Sequence, residues 1–171
     1  YRTVRVMLYH QLAVLRHVRN EHAEAVAICN AILSLPNLGM GGALRNRLLL
    51  ILADSSLRMG DLATTWPALN ELASRPLELT ESLQLLEIQT RYEVTCGYDQ
   101  QALGSLENKV ATAELLPPSQ CATMHRLLGD AADRCGYRHT SRWLHDRANL
   151  LTPPKPEAVP PLASPDGLMG G

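Results

Sequence analysis

Apolar positions along this chain recur at helical spacing, in stretches separated by short polar or proline-containing breaks. Leu8, Leu12 and Leu15 follow one another with Ala13 between them. Leu48, Leu49, Leu52, Ala53 and Leu57 repeat the pattern, as do Leu83, Leu86 and Ile88, and then Met124, Leu127, Leu128 and Ala131. Steps of three and four residues return a side chain to the same helix face, so each stretch predicts a helix with a buried stripe. The run from Leu48 to Ala53 is apolar nearly all round, which predicts a helix covered on several sides. That run is also far too short to span a bilayer.

Two kinds of break share one period. The first is a turn marked by Asn20, Gly60, Gly97 and Gly136, with steps of 40, 37 and 39 residues. Asn and Gly tolerate the left-handed conformation that ends a helix. Asp61 and Asp99 follow two of these turns and are expected to cap the next helix. The second break is proline, at Pro36, Pro76, Pro117 and Pro153, with steps of 40, 41 and 36. Proline lacks an amide donor and biases its predecessor away from the helical region. Together the two markers divide the chain into four helix–turn–helix units, about 2–36, 42–76, 80–117 and 119–153. This predicts eight helices and no sheet. Pro67 falls inside "DLATTWPALNEL", so the second helix of unit two is expected to start late, with Thr64 or Thr65 as its cap.

Composition agrees with an all-α class. Among 171 residues there is no Phe and aromatics are 4%, so the core must be built from Leu, Ala, Ile, Val and Met. Leu and Ala favour helix, and the strand-favouring residues are thin. The net charge of −1 offers no electrostatic footprint for nucleic acid or an anionic membrane. Four cysteines (Cys29, Cys96, Cys121, Cys135) in a chain of this length do not form a secreted disulfide framework and point to a cytoplasmic setting. The chain opens on Tyr1 without Met and reads as a mature or excised fragment. The organisation expected is a repeat domain over 1–153 followed by a Pro/Gly-rich tail over 154–171, extended in conformation.

The repeated pattern resembles the tetratricopeptide repeat family. The residues that carry the likeness are Leu12-Ala13, Ala25, Cys29 and Pro36 in unit one, and Leu52-Ala53, Gly60-Asp61, Leu69 and Pro76 in unit two. In unit three they are Gly97, Ala102, Leu106 and Pro117, and in unit four Leu128-Gly129, Gly136, Ser141, Ala148 and Pro153. The units are longer than the 34 residues usual for the family. Unit three also lacks the small residue of its first helix, where Gln89-Thr90 stand. The resemblance implies a right-handed α-solenoid whose concave face, lined by first helices, binds a peptide or helix of a protein partner. By that analogy the inward positions are His10, Val14, His17, Arg47, Leu50, Asp54, Arg58, Glu87, Arg91, Arg126, Asp130 and Arg134. Arg58, Arg91 and Arg126 would then bond carboxylates of the partner, and Val14 and Leu50 would supply an apolar centre. The mixed charge of this set departs from the Lys/Asn pattern with which chaperone-binding members hold a C-terminal carboxylate.

Candidate chemistry is sparse. The shared triplet Cys96-Gly97-Tyr98 and Cys135-Gly136-Tyr137 sits at equivalent turns and reads as helix-end packing. Cys121 and His125 are four apart on one helix and share ligand types with Cys135 and His139, but the latter pair straddles Gly136. No metal or cofactor is expected. His10, His17 and His22 read as half-exposed polar residues. No Ser/His/Asp set, GxGxxG after a strand or Walker-type loop is present, and the Gly-rich segment 37–42 reads as a connection. The expectation is a non-enzymatic interaction module. The alternative is a sensor or oligomerisation domain of a larger bacterial regulatory protein, and an enzyme or metal protein ranks last.

Overall fold

The computed structural model describes residues 2–35 and 41–152. Among these the chain is all-helical, with no strand. The helices are α1 (Arg2–Val18), α2 (His22–Leu33), α3 (Gly42–Arg58), α4 (Leu62–Ala73), α5 (Leu79–Thr95), α6 (Asp99–Ala102), α7 (Leu106–Ala113), α8 (Pro118–Arg134) and α9 (Arg138–Leu151). None of the described helices is long and apolar enough to cross a membrane. Pro36, Pro153, most of the Gly-rich connection and the 154–171 tail lie outside the described residues.

The four marker turns share one geometry. Asn20, Gly60, Gly97 and Gly136 have φ of 60°, 76°, 76° and 79°. In each, the marker amide reaches back to the third carbonyl before it, and the next amide reaches back five residues. Glu21 N bonds Arg16 O at 2.9 Å, Asp61 N bonds Ser56 O at 2.9 Å, and Tyr98 and Tyr137 N bond Glu93 and Ala132 O, each at 2.8 Å. This is the Schellman ending, which satisfies carbonyls that the helix leaves open. Cys96 and Cys135 are the C-caps just before two of these glycines, half-buried and free. Asp61 caps α4 by accepting from Thr64 N at 3.1 Å. Asp99 does not cap: Tyr98 holds the N-cap position and Asp99 begins α6.

Helices α1, α3, α5 and α8 pack in succession, each on the next. Helix α2 lies against α1 and α3, α4 against α3 and α5, α6 and α7 against α5 and α8, and α9 against α8. Close crossing needs small residues, and Ala13, Ala25, Ala53, Ala102 and Ala148 are fully buried. Gly129 is the extreme case, because an added Cβ would stand 2.8 Å from the His145 ring. In α3 every residue from Leu48 to Leu57 is buried except Ile51, which is partly so. That helix is covered by α1, α2, α4 and α5. Its leucines join Val6, Ile32, Leu69, Leu72, Leu85 and Ile88 in the largest core cluster. Truncating one of them to Ala costs about 2–5 kcal/mol by the usual transfer and cavity terms.

Three further expectations are corrected. Pro67 does not delay α4, which begins at Leu62 because Asp61 caps it there and buried Thr65 donates to Asp61 O at 2.8 Å. Thr65 is also 2.8 Å from the Ser56 hydroxyl, which anchors this first turn to α3. The second helix of unit three is instead two pieces, α6 and α7, making nine helices among the described residues rather than eight. The break falls at Ser105, which is left-handed with φ 54°. The Lys109 ammonium donates to Ala102 O at 2.7 Å, satisfying a carbonyl at the end of α6, and pairs with Glu93 at 3.1 Å. In α1 the buried stripe is Val6, His10 and Ala13, while Leu8 and Leu15 are exposed. Both stripes have helical spacing, and only packing partners distinguish them.

Candidate functional site

Helices α1, α3 and α5 and the first turns of α8 enclose an open groove of about 610 Å³. Eight of the positions that the resemblance implies line it: Val14, His17, Arg47, Leu50, Asp54, Arg58, Glu87 and Arg91. They come together because α1, α3 and α5 lie side by side and the residues recur on the face away from α2 and α4. Val14, Leu50, Ile51 and Ile88 form its apolar surface. The polar rim includes Gln84, Ser119, Gln120 and Thr123, which sequence reasoning missed. Uncharged rim residues carry no periodic apolar mark, so only the neighbouring helix reveals them.

The charged residues of the groove are bonded mainly to one another. The Asp54 carboxylate accepts from Arg58 Nε and Arg91 Nη1, both at 2.9 Å, and stands 3.4 Å from His17 Nε2. Arg91 Nη2 donates to Glu87 at 2.6 Å. The far nitrogen of His17 is 2.9 Å from the Ser55 hydroxyl. The chain of contacts therefore ties α1 to α3 and α3 to α5. The side chains of Asp54, Glu87 and Arg91 are only 12%, 14% and 17% exposed, so solvent screens these pairs weakly. Burial lowers the pKa of His17, opposed by Asp54 and reinforced by Arg58, His22 and Arg91. Burial raises that of Glu87, against the pull of Arg91.

This geometry changes the role expected of Arg91. Its guanidinium is held between two carboxylates of its own chain and is not presented to a partner. Arg47 is the more available cation, with a side chain 56% exposed and its nearest carboxylate, on Glu81, 3.9 Å away.

The other four implied positions lie outside the groove lining. His10 is buried, with Nε2 lacking a hydrogen-bond partner, and burial together with Arg47 lowers its pKa. Arg126 donates to the Thr152 hydroxyl, Asp130 stands 3.4 Å from His145 Nε2, and Arg134 is forked onto both Asp99 oxygens. Two further hollows lie elsewhere on the described residues, one smaller than the groove and one of similar size. One, of about 410 Å³, is bordered by Trp66, Tyr92 and Tyr98, and Trp66 stacks on Tyr92 at 5.7 Å.

A third polar grouping joins Glu114, just after α7, to Cys121 and His125 of α8. Their candidate donor atoms all lie within 4.8 Å of one another. The pair Cys121–His125 is legible at helical spacing, whereas Glu114 arrives from outside α8 and carries no local sequence mark. Cys135 and His139, by contrast, fall on either side of the Gly136 turn. Cys29 is sealed in the core, where burial pushes its thiol up to about 12, out of reach of nucleophilic chemistry at neutral pH. No protein-family model, curated protein or solved structure matches this chain, so its functional reading rests on its own residues.

Proposed function

We propose that this chain is a tetratricopeptide-like helical repeat module that binds a peptide or helix of a protein partner, without catalysis, in the groove of α1, α3, α5 and α8. In this reading the four units form a right-handed solenoid, and the groove is its concave face in a cytoplasmic protein. The observation that carries it is the groove itself. It combines an apolar surface at Val14, Leu50, Ile51 and Ile88 with a polar rim and an exposed cation, Arg47, whose nearest carboxylate is 3.9 Å away. Apolar anchoring with polar registration is how amphipathic segments are held. Because the Asp54–Arg58–Arg91–Glu87 set is internally compensated, the partner is a segment of mixed charge rather than a polyanion.

The test is selection of binding peptides from a random display library, followed by groove variants. Arg47→Glu and Thr123→Arg are expected to weaken the selected peptides about tenfold or more, the scale of one or two lost polar contacts. Arg142→Glu, on exposed α9, serves as the control. Peptides insensitive to the groove changes but lost with Arg142→Glu would sink the reading.

One observation favours a second reading, self-association within a larger bacterial regulatory protein. A hollow of about 630 Å³ between α1 and α2 is lined by Val6, Tyr9, Ala27, Ile28, Ala31, Ile32 and Leu35, with Arg5 the one charged residue among them. Concentration-dependent sedimentation abolished by Ile28→Glu would support it, and a monomer at all concentrations would remove it.

A further inference from the structure

The chain holds a fully buried histidine nitrogen with no partner, aimed at a carboxylate and close to a thiol. His125 is 0% exposed, and its Nε2 has no hydrogen-bond partner. Its Nδ1 lies 2.9 Å from the backbone oxygen of Cys121. A carbonyl oxygen can only accept, so Nδ1 carries the hydrogen, and in the neutral ring Nε2 presents a bare lone pair. That lone pair stands 3.7 Å from Glu114 Oε1. The Cys121 thiol, one helical turn before His125, lies beside the same ring, 3.6 Å from Nδ1. A buried acceptor without a donor costs about 1–3 kcal/mol, and metal-binding histidines commonly orient themselves through a bond from the other ring nitrogen to a carbonyl.

We propose that Glu114, Cys121 and His125 form a three-donor site for a divalent, sulfur-tolerant metal ion of the zinc class, with the fourth position open to water on the side of Glu114. One sulfur, one imidazole nitrogen and one carboxylate oxygen suit zinc and exclude magnesium and calcium, which take oxygen donors. A tetrahedral site with zinc-type bonds has donor–donor edges of about 3.3–3.8 Å. The candidate donors lie within 4.8 Å of one another and Glu114 Oε1 is already 3.7 Å from Nε2, so closing the site falls to the Cys121 thiol, which turns from the Nδ1 side of the ring toward Nε2.

The two oxygens of Glu114 divide the work. Oε1 now accepts from Arg147 Nε at 3.1 Å and Oε2 from Nη2 at 2.9 Å. On binding, Oε1 turns from Arg147 to the metal while Oε2 stays on Nη2, so Arg147 becomes the outer partner that orients the ligand. The Cys121 thiol gives its proton to solvent and binds as thiolate, and His125 binds through neutral Nε2. Trp143 tilts over His125 at 6.2 Å between ring centroids and shields one side of the imidazole. The Cys-Gly-Tyr turns take no part, because Cys96 and Cys135 belong to helix ends and not to this cluster.

The experiment titrates the metal-free full chain with cobalt(II) at neutral pH, then displaces it with zinc(II). One equivalent of cobalt is expected to give a thiolate-to-cobalt charge-transfer band with visible bands of tetrahedral intensity, and one equivalent of zinc to erase them. Zinc is also expected to raise the melting temperature. Cys121→Ser removes the charge-transfer band, and Glu114→Gln keeps it while weakening the metal about tenfold or more. Cys96→Ser and Cys135→Ser change nothing. Absence of the band in the folded wild type, its survival in Cys121→Ser or its loss in Cys135→Ser overturns the proposal. Should Cys121→Ser fail to fold, Glu114→Gln carries the test alone, and unchanged affinity in that variant overturns the three-donor site.

Discussion

Helices α1, α3, α5 and α8 form one set, in which α3, α5 and α8 are each 17 residues long, whereas α2, α4, α6 with α7, and α9 run 12, 12, 4 plus 8, and 14. The first set ends four times in the same left-handed turn and packs helix on helix. The second set absorbs an internal proline in one unit and breaks at a serine in another. Uniformity thus follows the helices that touch one another in sequence, where a changed length would shift the register of the whole row. Variation collects in the helices that fill the angle between two members of that row. The row is tied within itself by the buried Asp54–Arg91 pair, whereas exposed pairs such as Arg134–Asp99 join it to the filling helices, so the two kinds of contact should respond differently to the same kind of change.

The largest effect is expected at Arg91. Replacing it with Met leaves Asp54 and Glu87 poorly solvated and facing one another without their shared cation. Breaking a buried pair in this way costs about 3–5 kcal/mol. The matched change in an exposed pair, Arg134→Met opposite Asp99, is expected to cost about 1 kcal/mol or less, since the arginine side chain is 47% exposed. Urea denaturation of the two variants checks the contrast, and equal losses would mean that the row is not held by its buried charges.

Next comes Lys109, which makes the break in unit three tolerable. Lys109→Met abandons the Ala102 carbonyl and Glu93, at a cost of about 2 kcal/mol. The loss should be local, with faster amide exchange across α6 and α7 and little change in α3. Uniformly faster exchange would show instead that the break is coupled to the whole stack.

Gly97→Ala follows, at about 1–2 kcal/mol for a left-handed non-glycine residue. Gly60 and Gly136 share its φ and its open surroundings, so the three Ala variants should cost the same within error. A cost confined to one of them would break the equivalence of the turns.

Mild acid acts on the row through His17 and His10. His17 and His10 both have folded pKa values lowered from 6.5, mainly by burial. As pH falls below 6.5 the unfolded chain takes up these protons first, so stability declines until pH passes the lowered folded values. Glu87 acts in the opposite sense. Its raised pKa lets the folded state take a proton first at pH values above 4.5, which adds stability as pH falls through that raised value. His17→Gln should therefore flatten the decline in melting temperature below pH 6.5, and Glu87→Gln should remove the opposing gain that sets in at lower pH, above 4.5. A His17→Gln profile parallel to wild type would remove His17 from the account.

What was legible in the sequence divides along the same line. The four turns could be read because left-handed φ selects Asn and Gly from purely local sterics, and the chain spells them out at Asn20, Gly60, Gly97 and Gly136. The burial of α3 could be read because its Leu48–Ala53 run is apolar nearly all round. The face of α1 could not, because Leu8-Leu12-Leu15 and Val6-His10-Ala13 have the same period and only the positions of α2 and α3 choose between them. Eight groove residues were reachable by repeat analogy, but their pairing was not. Asp54 and Arg91 are 37 residues apart, and nothing local marks a long-range ion pair. Glu114 was missed for the same reason, since it meets His125 only after α7 has been folded back onto α8.

The smallest effect is expected at Pro67, where opposing terms nearly cancel. Inside a helix, proline removes one backbone hydrogen bond and crowds the carbonyl four residues back, at a cost of about 3 kcal/mol. Here the carbonyl concerned belongs to Ala63, and both Ala63 and Pro67 are exposed, so water replaces the missing donor. The stiff ring also lowers the entropy of the unfolded chain, which returns up to about 1 kcal/mol. Upstream, the Asp61 cap and the Thr65–Ser56 contact hold the first turn in place whatever follows. Pro67→Ala should therefore stabilise the fold by only about 1 kcal/mol, whereas Asp61→Ala should destabilise it by losing the cap. A gain near the full interior penalty in Pro67→Ala would show that α4 is strained after all. The distinction drawn between a rigid row and adaptable filling helices would then fail at the position that seemed to illustrate it best.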